Sequence, residues 1–180
     1  MKDIETLRFP VGRFQMPGVL SSEQRKQMTE TIRAFPEKLE AMVSGLSEEL
    51  DWRYRPEGWM IRQVVHHCAD SHMNALIRFK LTLTEDSPTI RPYFEDRWAE
   101  LTDTLDAPIR ESLDILKGVH SRWSRLLGGM SDSDFAKHYV HPEYQNTYTL
   151  DQALANYDWH CKHHAAHIQQ ALEHKGEFNT

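Results

Sequence analysis

Apolar residues recur at helical spacing in four separate segments of the chain. When apolar side chains repeat every three or four residues, they form one stripe along a helix, and that stripe must be buried against another element. The four segments are 21–46, 58–83, 106–129 and 149–175. Four amphipathic helices of about 20 residues or more predict an all-α four-helix bundle. We expect a single domain that spans residues 1–180.

Side chains typical of helix ends bound these segments. Two segments begin with a capping-box pattern, in which a hydroxyl residue precedes a glutamine: Ser21 or Ser22 with Gln24, and Thr149 with Gln152. Asp106 is the predicted cap of the third helix, which should stop at Gly128–Gly129. Pro36 falls inside the first helix, where its missing N–H predicts a kink or a break.

The connections on either side of the third helix are long. Residues 84–101 contain two prolines and are predicted to form a loop, and residues 131–149 form a polar stretch with a short hairpin around 142–146. Connections of this length allow crossovers, so the helices need not follow a simple up-and-down order.

Composition excludes several classes of function. The formal net charge is -6 and the pI is about 6.0, so the chain has no basic surface of the kind that binds nucleic acid. No apolar run approaches the length of a membrane span, and the N-terminal residues have no apolar signal core, so we expect a cytoplasmic protein without a membrane partner. Cys68 and Cys161 are too few for a disulfide framework and are predicted to be reduced, buried thiols.

The fourth segment carries an unusual cluster of histidines: His160, His163, His164 and His167. On a helical wheel, His160 and His164 lie beside the apolar stripe and can point into the bundle, whereas His163 and His167 lie further round and should face solvent. Two imidazoles separated by four residues on a helix can bind the same ion. The cluster is therefore either a solvated polar face or part of a metal site.

A third ligand would have to come from a facing helix, and the second segment offers three histidines. His72 falls inside the apolar stripe, where a hydrogen-bonded core histidine is expected. His66 should lie on the outward side, and His67 lies at the edge of the stripe on a polar strip with Ser71 and Arg78. Helical geometry therefore favours His67 over His66. Asp70 and Asp158 are possible acceptors for imidazole N–H groups, or simply surface acids.

Two motifs give the chain a family resemblance. The block W-x-x-x-x-V-V-H-H-x-A-D begins at Trp59, and an H-x-x-x-H block begins at His160. Together with most of the remaining sequence, they resemble the DinB-like superfamily, specifically its YfiT branch of metal-dependent hydrolases. The resemblance implies a metal triad of His67, His160 and His164, although Cys68 stands where leucine is common. It also implies a DinB-type four-helix bundle, a cytoplasmic homodimer, and nickel or zinc as the metal.

Three neutral imidazoles suit one divalent ion per subunit, zinc first and nickel second, and leave it an open coordination position. Water at that position supports a metal-dependent hydrolase acting on a small-molecule substrate. A thiolate there supports the alternative, an S-transferase that conjugates a low-molecular-weight, bacillithiol-like thiol to electrophiles, an activity that the family resemblance permits. A third possibility is a non-catalytic, dimeric metal-binding module. No residue stands at a spacing that assigns it as a general base.

Overall fold

The computed structural model describes residues 3–143 and 146–178. In chain order the elements are α1 (Ile4–Arg8), α2 (Ser22–Val43), one turn of 3-10 helix (Glu48–Asp51), α3 (Ile61–Thr84), α4 (Glu95–Trp98), α5 (Thr102–Leu105), α6 (Ile109–Gly128), α7 (Asp132–Phe135), β1 (His138–His141), β2 (Asn146–Thr149) and α8 (Leu150–Glu173). The long helices α2, α3, α6 and α8 have 22, 24, 20 and 24 residues and coincide with the four amphipathic segments. The prediction of an all-α four-helix bundle is confirmed.

The order of the long helices in the bundle is not that of a simple up-and-down arrangement. Helices α2 and α3 each pack against both α6 and α8. Consecutive helices α2 and α3 therefore occupy diagonal corners, as do α6 and α8, whereas an up-and-down bundle places consecutive helices side by side. The long connections permit this order, as the sequence suggested.

The apolar stripes of the four helices meet in one core. The largest fully buried apolar side chains come from all four: Ile32, Leu39, Ile61, Phe79, Leu116, Trp123, Leu150, Leu154 and Ile168. Each side chain of this kind contributes about 1.5–3 kcal/mol when it is removed from water. Cys68 and Cys161 are free thiols inside this core, as expected, and burial raises the pKa of both.

Both predicted capping boxes are present. The Ser21 hydroxyl accepts from the Gln24 amide at 3.3 Å, and the Gln24 side chain accepts from the Ser21 amide at 2.9 Å. Thr149 and Gln152 make the same pair of bonds at 3.2 and 3.0 Å. These bonds satisfy amide groups that have no partner in the first turn of a helix.

One prediction about a helix end is wrong, and one of two alternatives for Pro36 is excluded. Pro36 does not break α2, which continues through it to Val43 with the proline buried. Asp106 does not cap the third long helix, because residues 102–105 form α5 and Asp106 stands at its end. The cap of α6 is Pro108, whose extended backbone (φ −62°, ψ 129°) leads into the first turn at Ile109.

The hairpin expected in the polar stretch is formed by β1 and β2, which pair antiparallel with His138 opposite Thr149 and His141 opposite Asn146. Residues 144 and 145 of its predicted turn lie outside the described residues. The connection 84–101 is less irregular than expected, because Glu95–Trp98 form α4.

The first part of the chain, residues 3–21, lies along the outer face of α8; we call it the N-terminal arm. Gln170 donates to the carbonyl of Leu7 at 3.0 Å, and the Trp159 indole donates to the carbonyl of Gly12 at 2.9 Å. The amide of Leu20 donates to Asp151 at 3.3 Å. The arm therefore covers a helix face that would otherwise meet solvent. None of the helices within the described ranges is long and apolar enough to cross a membrane.

Candidate metal centre

Three histidines from two facing helices converge inside the bundle. His67 comes from α3, and His160 and His164 come from successive turns of α8. One ring nitrogen of each lies within 4.8 Å of the others, and the Nε2 atoms of His67 and His160 are 3.2 Å apart. Two imidazole nitrogens on one tetrahedral zinc, at about 2.0–2.1 Å each, lie roughly 3.3 Å apart. The donor set and its spacing therefore fit a divalent ion.

Burial holds these histidines in the neutral form that binds metals. His67 and His164 are buried, and His160 is partly buried. Loss of hydration lowers the pKa of His67 to about 4, with a smaller effect from nearby His163. The same loss, followed by repulsion from the other histidines, puts the pKa values of His160 and His164 well below the ordinary range. Neutral imidazoles need not lose a proton before they bind an ion.

The prediction that His163 and His167 face solvent is wrong, since only 7% and 2% of their surfaces are exposed. The Nε2–H of His167 donates to the carbonyl of Arg8 at 3.1 Å, and its ring stacks on Tyr54 with centroids 3.7 Å apart. The ring of His163 stacks on Trp159 at 4.2 Å. Burial by the N-terminal arm and neighbouring aromatic rings lowers the pKa of His163 to about 4 and that of His167 to about 3.

His66 is also buried rather than outward-facing, which corrects a second expectation from the helical wheel. Its Nε2 lies 3.3 Å from the carbonyl of Ala107, and its Nδ1 lies 2.8 Å from the Ser112 hydroxyl. A carbonyl only accepts, so Nε2 donates and Nδ1 accepts from Ser112. Both ring nitrogens are thus engaged away from the triad, and His67 is the histidine of this pair that joins it.

His72 is the hydrogen-bonded core histidine that the sequence predicted. Its Nε2 lies 3.0 Å from Nδ1 of His160, and its Nδ1 lies 2.7 Å from Nε2 of His120. His120, which the sequence reasoning missed, is 1% exposed on α6. The signal was present, because His120 follows Leu113 and Leu116 at the spacing of the buried stripe of α6.

Comparison with known proteins identifies the family of this chain. The sequence profile of the DinB superfamily matches residues 23–168 of this chain. This chain belongs to the DinB superfamily. The resemblance drawn from the two motifs is thereby confirmed.

Two relatives of this DinB-superfamily chain align over nearly its whole length. "Putative metal-dependent hydrolase YfiT" of Bacillus subtilis is 42% identical over 171 residues, which cover 94% of this chain and 96% of the relative. A "Putative metal-dependent hydrolase" of Geobacillus thermodenitrificans is 41% identical over 177 residues, which cover 98% of this chain and 99% of the relative. The solved structure of Bacillus subtilis YfiT superposes with a TM-score of 0.92 at 41% identity, over 96% of this chain and 99% of that one. It is described as having "an unusual four-helix bundle topology".

The two carboxylates considered as partners of the triad form no hydrogen bond with it. Asp158 accepts from Lys162 at 2.7 Å. Asp70 is half-buried, and loss of hydration, followed by repulsion from Asp103, raises its pKa to about 6. Within residues 3–143 and 146–178, no hydrogen bond or ion pair joins either carboxylate to a histidine of the triad. Nδ1 of His160 is hydrogen-bonded to His72 instead.

Ser71 is a further polar group at the centre. Its hydroxyl lies 3.5 Å from Nε2 of His160, one helical turn beyond His67 on the polar strip of α3. The strip continues to Arg78, which lines a cavity of about 370 Å³ together with Tyr93 and Glu95. The sequence placed Ser71 on this strip but could not show that the strip faces α8.

Proposed function

We propose that this chain is a metal-dependent hydrolase whose single divalent ion is bound by His67, His160 and His164. The observation that carries the proposal is the convergence of three neutral ring nitrogens, two of them already at the spacing of ligands on one ion. Zinc is the first candidate and nickel the second, because imidazole ligands suit both. A bound ion with an open position supplies Lewis acidity and lowers the pKa of its water to about 7.

The chain's own residues supply binding and orientation. Ser71 places a hydroxyl beside the metal-facing nitrogen of His160, where it can donate to or accept from a group held at the open position. The polar strip of α3 that carries His67 and Ser71 continues to Arg78, beside a cavity that has the size of small-molecule sites (about 300–1,000 Å³) and whose lining does not include the triad. We therefore propose a small molecule as the substrate, and Ser71 as a residue that orients it.

The names of the relatives support the hydrolase. The coordination position that three histidines would leave open on the ion supports the thiol transferase as well as the hydrolase. Both reactions need the metal, but only the transferase needs a low-molecular-weight thiol as its second substrate. The non-catalytic module needs neither. A single set of assays with metal and thiol varied independently separates the three. The homodimer stays a prediction, which light scattering of the purified protein would test.

The first experiment measures metal content. Each of three variants should lose most of the metal that co-purifies with the wild type: His67→Ala, His160→Ala and His164→Ala. Metal content is measured by inductively coupled plasma mass spectrometry. His138→Ala is the matched control, because His138 is exposed on β1. Stoichiometric metal in all three triad variants would exclude these ligands.

The second experiment measures turnover on a panel of carboxylic and phosphate esters. Chelation should abolish activity, and zinc, nickel or cobalt should restore it to different degrees. Turnover with water alone supports the hydrolase. A strict requirement for added thiol supports the transferase, and absence of turnover with metal bound supports the module. Undiminished activity in metal-free protein contradicts every metal-dependent reaction.

A further inference from the structure

A row of three imidazoles joins the metal centre to the backbone of α2; we call it the imidazole relay (His120, His72 and His160). Nδ1 of His120 lies 2.5 Å from the carbonyl oxygen of Ile32. Nε2 of His120 lies 2.7 Å from Nδ1 of His72, and Nε2 of His72 lies 3.0 Å from Nδ1 of His160. His72 and His120 are 0% and 1% exposed, so water does not compete for these bonds.

The carbonyl at the start of the relay fixes the direction of every bond in it. A carbonyl only accepts, so Nδ1 of His120 donates, and the other nitrogen of a neutral imidazole must accept. Nδ1 of His72 therefore donates to His120, and its Nε2 accepts from Nδ1 of His160. This leaves Nε2 of His160 with its lone pair directed at His67, where the ion is proposed to bind.

Neutrality of the two inner rings follows from their surroundings. A buried charge is costly unless an opposite charge compensates it. No carboxylate among the described residues forms an ion pair with His72 or His120, and the neighbours of His72 include Phe35, Trp123 and Tyr157. An imidazolium at either position would stand uncompensated in the core.

Pro36 explains why the carbonyl of Ile32 is available. In an α-helix the carbonyl of one residue accepts from the N–H four residues later. The residue four positions after Ile32 is Pro36, which has no N–H. The ring nitrogen of His120 occupies the place of the missing donor. The proline inside α2 therefore creates an acceptor that the rest of the helix does not offer.

We propose that His72 and His120, anchored by the carbonyl that Pro36 leaves free, are positioning residues that hold the metal ligand His160 as its Nδ1–H tautomer. The inference rests on the metal site of the proposed function. Ligand histidines usually donate their second N–H to a carboxylate or a carbonyl. Here the acceptor is a neutral imidazole, which orients His160 without placing a negative charge beside the ion.

The relay is tested directly by ¹⁵N NMR of the histidine side chains in the metal-free wild type. The chemical shifts should show His160, His72 and His120 all protonated on Nδ1. Protonation of His160 or His120 on Nε2 would overturn the proposal, whatever the variants do. This measurement does not depend on metal binding, so its failure is distinct from a failure of the proposed function.

Three variants test the consequence for the metal. His72→Phe keeps a ring but removes both bonds, and should weaken Co²⁺ binding roughly 10- to 100-fold and alter the visible spectrum of the bound Co²⁺. His72→Gln should rescue most of the affinity, because its amide can donate to His120 and accept from His160. His66→Phe is the matched control, because His66 is another buried histidine of α3 with two hydrogen bonds outside the relay, and this variant should bind Co²⁺ as the wild type does.

The affinities are measured by competition with a chelator, in variants whose circular dichroism shows the native helix content. Unchanged Co²⁺ affinity and spectrum in folded His72→Phe would overturn the relay while leaving the triad intact. If His72→Phe does not fold, failure of the folded His72→Gln to retain affinity overturns the proposal instead. In Pro36→Ala, the new N–H should compete for the carbonyl of Ile32 and shift the Nδ1 resonance of His120. An unchanged resonance would show that Pro36 does not determine whether this carbonyl is available to His120.

Discussion

His167 gives the sharpest test of how the N-terminal arm packs, because its burial depends on the arm. Replacement by alanine removes the bond to the carbonyl of Arg8 at 3.1 Å and the stacking on Tyr54 at 3.7 Å. A hydrogen bond of this kind contributes about 1 kcal/mol, and an aromatic pair adds about 0.5–1.5 kcal/mol. The side chain is 2% exposed, so the space it leaves adds a further penalty. We expect His167→Ala to lower the free energy of unfolding by roughly 2–4 kcal/mol.

The assay is urea unfolding of metal-free protein at pH 7.5, followed by circular dichroism. His138→Ala is the matched control, since His138 is exposed and should behave like an ordinary surface site, within about 0.5 kcal/mol. A loss within that same range for His167→Ala would refute the packing of the arm against α8. Metal content should stay near the wild-type value, because His167 lies outside the triad; loss of metal would show that it is a ligand.

Two further predictions concern stability. The free energy of unfolding of the metal-free protein should fall as the pH decreases from about 6.5 to about 4, because each histidine whose pKa is lowered by burial contributes a slope of at most about 1.4 kcal/mol per pH unit. Burial lowers the pKa of His120 and His163 to about 4, so between about pH 6.5 and about pH 4 the unfolded chain binds protons that the folded chain does not. A free energy of unfolding that stays constant between pH 7 and pH 5, measured with urea, would contradict this prediction. Arg25→Met should cost about 3–5 kcal/mol in the same assay, because it leaves Asp151 buried without the partner that now binds it at 2.6 and 2.8 Å. Lys117→Met, which removes a more exposed ion pair, should cost less than about 1 kcal/mol, and equal losses would refute the distinction.

The four helices and the N-terminal caps of two of them could be predicted because the relevant signals are local. The apolar repeat gives each helix its buried face, and a capping box needs only residues three apart, as at Ser21–Gln24 and Thr149–Gln152. The convergence of His160 and His164 with a histidine of α3 was predictable for the same reason. Both helices present these side chains at the edge of their own stripes.

The remaining histidines could not be placed from a helical wheel, because a wheel shows direction relative to one helix and nothing that covers it. His163 and His167 do point away from the apolar stripe of α8, but the arm, which lies about 150 residues earlier in the sequence, packs over them. His66 is covered by the segment between α5 and α6. Burial on these faces depends on contacts between distant parts of the chain.

Eight of the eleven histidines of the chain lie in and around the metal centre: His66, His67, His72, His120, His160, His163, His164 and His167. This density is tolerable because each is neutral when buried, and a neutral imidazole is far less costly to bury than a charge. Among the described residues no carboxylate forms a hydrogen bond or an ion pair with the triad, so none would offset the charge of an ion bound there. A carboxylate in the place of His72 would hold His160 more strongly but would offset part of that charge. The relay thus orients the ligand by hydrogen bonds alone and preserves the electrostatic effect on which a hydrolase or a thiol transferase would depend.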